Sequence, residues 1–337
     1  MARSQVRQAQ RPPIDAWGGA GRLGLIFSLL YRFGPPRWSQ YVRKNWAGQR
    51  LVIALPYVWL FLFFAVPFLI VLRISFSEEA LARPPYTALI AKVGEAAYSI
   101  TINLANYSNL VSESLFFSSY VFSVKLAAIS TLLCLLVGYP MAYAIARASS
   151  TMRVVWLMLI ILPFWTSFLL RVYAWVGLLK TDGLINQILG IFGLGPFSMM
   201  YTTFAVYVGI VYSYLPFMIL PLYANLEKHD LTLLEAAADL GAGPIKSFFR
   251  VTLPLSASGI VAGSLLVFIP AVGEYVIPTL LGPSDQLMIG SVLQTEFFSV
   301  RNWPSASAAA IAMLLLLVLP ILVFQRFQDR EFARAKK

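Results

Sequence analysis

Charge and cysteine are what this sequence has least of. Only 12% of its 337 residues are charged, about half the roughly 25% usual in a soluble domain. Against that, 59% are hydrophobic and the mean hydropathy is +0.73. A soluble chain of this make-up would need one very large apolar core with too little polar surface to cover it, so the composition places the chain in a bilayer. The single cysteine, Cys134, lies inside an apolar run. It excludes an intrachain disulfide framework and a cysteine-based metal site. Histidine is as scarce: His229 has no cysteine or carboxylate cluster beside it, which speaks against a metal site, and it reads as a solvated loop residue. The opening MARSQVRQAQRPPIDAWGGAG has no early hydrophobic stretch ending in small residues, so no cleaved signal peptide is expected. No carboxylate pair, nucleophile–base set or metal-ligand spacing occurs in the spans or loops, which leaves a membrane-embedded enzyme without support.

What is abundant is apolar sequence in long runs. Stretches of about twenty such residues cross the roughly 30 Å hydrocarbon layer as helices. Six are expected, near Leu51–Ile74, Tyr120–Ala146, Val154–Leu179, Phe204–Leu226, Ser256–Leu281 and Ala306–Phe327. Prolines 56, 67, 163, 216, 221, 270, 278 and 320 fall in these runs, each removing a backbone donor. Such breaks persist where neighbouring helices or a wet cavity satisfy the freed carbonyls, so they fit either simple kinks or a lined pathway.

The net charge of +11 would suggest nucleic acid if it were clustered on a soluble face. It is instead spread through tails and connections. The N-terminal tail, the Ala148–Met152 turn with Arg147 and Arg153, the Glu227–Leu255 connection and the C-terminal tail with the adjoining Arg326 hold 19 of the 26 lysines and arginines. By the positive-inside rule these are cytoplasmic, with both termini inside. The opposite connections hold Arg83, Lys92, Lys180 and Arg301 against Glu78, Glu79, Glu95, Glu113, Asp182, Asp285 and Glu296, a net acidic outer face. The expected organisation is a basic, mostly disordered tail over 1–50, a six-helix membrane domain over 51–327 and a short cytoplasmic tail over 328–337. Within the first tail, RLGLIFSLLYRF is too short to span and fits the inner membrane surface, its arginines near lipid headgroups. No repeat of twenty to fifty residues is present.

The connection 227–255 contains KHDLTLLEAAADLGAGPIKSFFRVTLPL. Strong helix formers fill Leu231–Leu240, Asp230 is placed to cap them and Gly241 permits a sharp turn. Pro244 suits the first turn of a second helix reaching about Val251. Leu233, Leu234, Phe248 and Phe249 would then meet water, so the hairpin needs a partner surface. GAGPIKS is not a phosphate-binding loop: Ile245 stands where glycine must precede Lys246, and no strand leads in.

Glu235-Ala236-Ala237, three residues, Gly241, nine residues, Val251, one residue and Leu253-Pro254 together resemble the EAA loop of binding-protein-dependent ABC importer permeases. Val251 stands where isoleucine is usual. Further stretches, LVIALPYVWLFLFFAVPFLIV, PPYTALI, ILPFWTSFLLRVYAW, VFIPAVGEYVIPTLLG and NWPSASA, are similar to the spermidine/putrescine permeases, the putrescine type most of all. The resemblance implies an all-α polytopic fold of the type I importer class in the bacterial inner membrane. It also implies a homologous second permease, two ATPase subunits that bind ATP and magnesium in place of any cofactor here, and a periplasmic substrate-binding protein. Glu235, Ala236, Ala237, Asp239, Gly241, Leu253 and Pro254 are thereby implied to couple the chain to the ATPase.

Chemistry supplies a second candidate set. Glu274 is an ionisable group mid-span between Pro270 and Pro278, and such residues are costly and usually functional. An ammonium group would be stabilised by its carboxylate and by aromatic faces, for which Tyr275, Tyr212, Tyr214, Tyr173 and Trp175 are the candidates. The structural alternative is an ion pair with Arg171 or Lys125. Asp285 and Glu296 are candidates for meeting the binding protein. A gradient-driven secondary transporter is the rival reading of the whole chain.

Overall fold

The computed structural model describes residues 46–92 and 98–335. The expectations for 1–45, including the interfacial stretch, and for Glu95 lie outside the described residues. The chain divides into one unit ending at Leu69 and another beginning at Ile70. The first contains α1 (Trp46–Leu60), a π-helical turn (Phe61–Ala65) and the start of α2 (Val66–Ser75). Helix therefore begins inside the expected tail. Pro56 sits within α1, and Pro67 lies just past the π-helical turn.

The second unit is helical apart from a small antiparallel pair, β1 (Ile90–Lys92) and β2 (Tyr98–Ile100), in the loop after α2. A short α3 (Ala105–Ser112) leads into α4 (Ser114–Arg147), whose 34 residues include Pro140. The third expected span is not one straight crossing. It is α5 (Ser150–Ile161), a 3₁₀ turn (Leu162–Trp165), α6 (Phe168–Leu179) and α7 (Leu184–Ile191), with the two halves bent by 93°. The cause is local. Pro163 cannot continue the ladder, and Thr166 is extended, its hydroxyl donating to the Pro163 carbonyl at 2.7 Å.

α8 (Thr203–Leu226) crosses intact despite Pro216 and Pro221. The cytoplasmic-side hairpin expected next comprises α9 (Thr232–Asp239), α10 (Pro244–Ser247), a π-helical turn (Phe248–Thr252) and α11 (Leu253–Leu255). It meets α12 (Ala257–Val272) at a 65° bend. The fifth expected span is also interrupted: α12 stops at Val272, residues 273–275 are non-helical, and α13 (Val276–Leu281) resumes. α14 (Ile289–Gln294), a π-helical turn (Thr295–Val300) and α15 (Trp303–Ala335) complete the chain, so helix continues through most of the expected C-terminal tail. Among the described residues four helices are long and apolar enough to cross a membrane, and six spans result if each bent pair counts as one.

α4, α8 and α12 form the heart of this unit. Small residues bring them close: a Cβ on Gly263 would stand 2.8 Å from Met218 Sδ, and one on Gly259 2.7 Å from Asn225 Cβ. The buried side chains form two clusters. One joins Phe116, Leu126, Val172, Ile210, Ile277, Leu281 and Met288. The other, nearer the hairpin, joins Tyr139, Ile145, Met218, Leu222 and Val267. Tyr214 packs against both.

Candidate functional site

The hairpin is built by local signals. The Asp230 side chain accepts the Thr232 N–H at 3.0 Å and so serves the start of α9. Gly241 adopts φ +75°, and the turn closes as the Ala242 N–H donates to the Ala237 carbonyl at 2.9 Å. Pro244 opens α10 as expected. Of the coupling residues, Glu235, Ala236, Asp239, Gly241 and Pro254 are exposed, while Ala237 and Leu253 are half-buried.

One expectation needs correcting. Leu233 and Phe249 do face outward, but Leu234 and Phe248 turn inward. Phe248 meets Tyr139 edge-on at 5.5 Å and Tyr143 at 6.4 Å. Consecutive residues of a helix point about 100° apart, so Phe248 can pack inward while Phe249 faces out. Tyr139, on α4, also shares a 2.8 Å hydrogen bond with Ser256. Leu234, Ala238, Ser247, Phe248 and Tyr143 border a pocket of about 280 Å³ beneath the hairpin. At its base Arg153 pairs with Glu227. His229 is half-buried rather than solvated, with Nε2 3.2 Å from Asn225 Oδ1, because the chain folds back onto the end of α8. Burial pulls its pKa below the ordinary 6.5, Arg147 adds to that, and a hydrogen bond with the Leu255 backbone opposes it.

Glu274 lies in the three-residue gap between α12 and α13 and is 8% exposed. It pairs with neither Arg171 nor Lys125. One oxygen accepts the Tyr214 hydroxyl; the other accepts the N–H groups of Val276 at 3.0 Å and Ile277 at 3.4 Å. The carboxylate thus satisfies donors left over where α13 begins, an arrangement the interrupted helix makes possible. Gly290 presses on the gap, since a Cβ there would stand 2.4 Å from the Gly273 carbonyl oxygen.

The five aromatic candidates do not converge on Glu274. Tyr214 bonds to it and Tyr275 follows it in the chain with its side chain exposed, whereas Trp175 meets Tyr212 edge-on at 5.4 Å and Tyr173 is exposed. Two aromatics outside the candidate set extend from Tyr214: Phe217 at 6.2 Å, then Phe164 at 5.4 Å from Phe217. The Arg171 guanidinium stands 4.6 Å from the Phe164 ring centre. The spacing of Tyr214 and Phe217, three apart on one helix, is the sequence signal for the first of these contacts. At the other end of the unit Asp285 is exposed and Glu296 half-buried. Burial raises the pKa of Glu296, and Glu113 and Glu79 raise it further. Beside them Trp303 stacks on Phe297 at 5.0 Å and lies 6.2 Å from Tyr86.

Apolar, interrupted helices thus surround a buried carboxylate, and the hairpin is tethered at one end of them. Residues 135–334 match the family described as binding-protein-dependent transport system inner membrane component, and the chain belongs to that family. It is a multi-pass inner-membrane permease component of an ABC importer. Among its relatives, the spermidine/putrescine transport system permease protein PotB of Haemophilus influenzae is 39% identical over 281 residues, covering 82% of this chain and 93% of that one. The protein of the same name from Escherichia coli is 37% identical over 270 residues, covering 80% and 93%. The fold is that of a chain in a bacterial alginate ABC transporter solved with an alginate pentasaccharide-bound periplasmic protein, at TM-score 0.64 and 17% identity, covering 87% and 98%.

Proposed function

We propose that this chain, paired with a homologous second permease, forms the membrane path for a polyamine, with putrescine and spermidine as the candidate cargoes. The observation that carries the reading is Glu274. It is a buried carboxylate with no cationic partner among the described residues, held at a break between two helix segments. A protonated amine that entered the gap would supply the missing positive charge, and the Tyr214 ring beside it offers a face. The PotB relatives carry both polyamine names, and neither cargo is favoured by them.

In the same proposal Glu235, Ala236, Ala237, Asp239 and Gly241 dock in a separate ATPase, with Leu253 and Pro254 carrying the motion into α12. Two such subunits bind ATP and magnesium. A periplasmic binding protein delivers the polyamine to the acidic face that bears Asp285 and Glu296. The hairpin and both termini face the cytoplasm. Cys134 is buried, so single introduced cysteines report sidedness cleanly: labelling of a cysteine at Lys246 from outside intact cells would contradict it.

The deciding experiment is uptake of labelled putrescine and spermidine by proteoliposomes holding the whole complex with external binding protein and internal ATP. Glu274→Gln is expected to lower uptake at least ten-fold while the subunits still co-purify. Unchanged uptake would remove Glu274 from the path.

A further inference from the structure

The connection between α6 and α8 is unusual in what it shows to its surroundings. After Lys180 and Asp182, in the turn between α6 and α7, the next charged residue is Glu227, beyond the end of α8. α7 is nonetheless two-sided. At about 100° per residue, Leu184, Ile188 and Ile191 fall within an arc of about 60°. All three are exposed, Ile191 by 80%. Ile185, Asn186 and Leu189 fall outside that arc and are covered wholly or in part, Ile185 against the first buried cluster. Asn186 staples the connection together. Its Nδ2 donates to the carbonyls of Lys180 at 3.2 Å and Phe197 at 2.9 Å, and its Oδ1 accepts the Phe197 N–H at 2.9 Å. α7 and the residues after it are thus one module, and its apolar exposure continues through Phe192, 74% exposed, Leu194 and Phe197.

A patch of six such side chains needs an apolar cover. Its ends locate it. The exposed charges of Lys180 and Asp182 hold the turn at headgroup level or beyond, because charge is costly in hydrocarbon. Tyr201, exposed just before α8 begins, is the residue type that settles at the membrane–water boundary. α7 has 8 residues and so extends about 12 Å, too short to carry its stripe far from that boundary. Chemistry then separates lipid from a protein partner. Interfaces between proteins carry about one hydrogen bond per 100–200 Å², and these six side chains offer no donor or acceptor. The neighbouring Gln187 amide is already used, donating to the Asp182 carbonyl at 2.9 Å. Acyl chains ask for no hydrogen bonds.

We propose that Leu184, Ile188, Ile191, Phe192, Leu194 and Phe197 form a lipid-binding surface set into the outer leaflet where headgroups meet acyl chains. The connection is then a membrane anchor rather than an aqueous loop, and it fixes the depth of the outer ends of α6 and α8. The choice of leaflet rests on the orientation proposed above, with the hairpin on the cytoplasmic side.

The test uses the whole complex in proteoliposomes, with a fluorophore on one introduced cysteine and Cys134 buried. Phe192→Cys and Leu184→Cys probe two parts of the surface, and Thr181→Cys, in the turn, is the aqueous reference. The quenchers are phosphatidylcholine spin-labelled near the headgroup end of its acyl chain and iodide in the water. Labels at Phe192 and Leu184 are expected to lose at least half their emission to the spin-labelled lipid and less than about a tenth to iodide, with the reverse at Thr181. Iodide quenching at Phe192 and Leu184 equal to that at Thr181 overturns the proposal in favour of an aqueous loop. Protection from both quenchers overturns it in favour of a protein cover. Sidedness is read separately: if an impermeant thiol reagent reaches Thr181→Cys only after cells are opened, the orientation fails while the quenching still judges the lipid contact.

Discussion

Tyr214 and Glu274 form one unit, and their separation has a definite consequence. Tyr214→Phe leaves a buried carboxylate oxygen without its donor, and a hydrogen bond to a charged group contributes about 1.5–3 kcal/mol. The thermal midpoint of the purified variant is expected to fall, together with uptake, and a midpoint equal to the wild type would mean that water replaces the hydroxyl. His229 is expected to act through pH. Its pKa in the fold lies below 6.5, so the unfolded chain takes up a proton first as pH drops. The hairpin base is then most stable above about pH 6.5 and weakens below it. His229→Gln should flatten that dependence, followed by hydrogen exchange of 225–232 between pH 5 and 8. Legibility at this scale was uneven. A lone Glu274 in an apolar run announces itself. That its carboxylate serves the N–H groups of Val276 and Ile277 depends on where α12 stops, and no side chain near it signals that stop except Gly273.

Among the elements, local chemistry and long-range packing divided the work. The hairpin was readable from Asp230, Gly241 and Pro244 because a cap, a left-handed turn and a first-turn proline act within a few residues. The bend between α5 and α6 was not, because hydropathy is uniform across Val154–Leu179 and Pro163 alone does not distinguish a kink from a right-angled turn. The gap at 273–275 is held from outside by α14. Gly290→Ala, which puts a methyl group 2.4 Å from the Gly273 oxygen, is expected to destabilise the fold by about 1–3 kcal/mol. A differential melt of the variant in detergent measures it, and an unaltered melt would mean that α14 yields freely. Tyr139→Phe is gentler: it keeps the ring against Phe248 and removes the bond to Ser256, worth about 1 kcal/mol. Faster exchange of hairpin amides with unchanged exchange in α8 is the expected pattern.

For the whole molecule, the division between importer subunit and self-sufficient transporter is the one that function turns on. Vesicles containing this chain alone are expected to show no uptake under any imposed ion gradient, and uptake driven by such a gradient would reinstate the secondary-transporter reading. With the complete complex, Glu235→Lys should lower ATPase retention at least ten-fold without disturbing insertion. Retention unchanged in that variant would place the docking surface elsewhere. Composition and run length made the membrane class legible, because a bilayer constrains every crossing residue alike. The identity of the cargo was not, since one carboxylate and one tyrosine would suit an amine of any length.

The length of α4 has a mechanical side. Its 34 residues extend about 51 Å, and Tyr139, eight positions from its end at Arg147, is where the hairpin grips it through Phe248 and Ser256. The grip therefore divides α4 into a short arm of about 12 Å and a long arm of about 38 Å. For a rigid rod pivoting at that grip, a displacement of 1 Å at the short end becomes roughly 3 Å at the far end, set by the ratio of the arms. The stiffness of α4 around Pro140 is then the quantity on which that ratio depends.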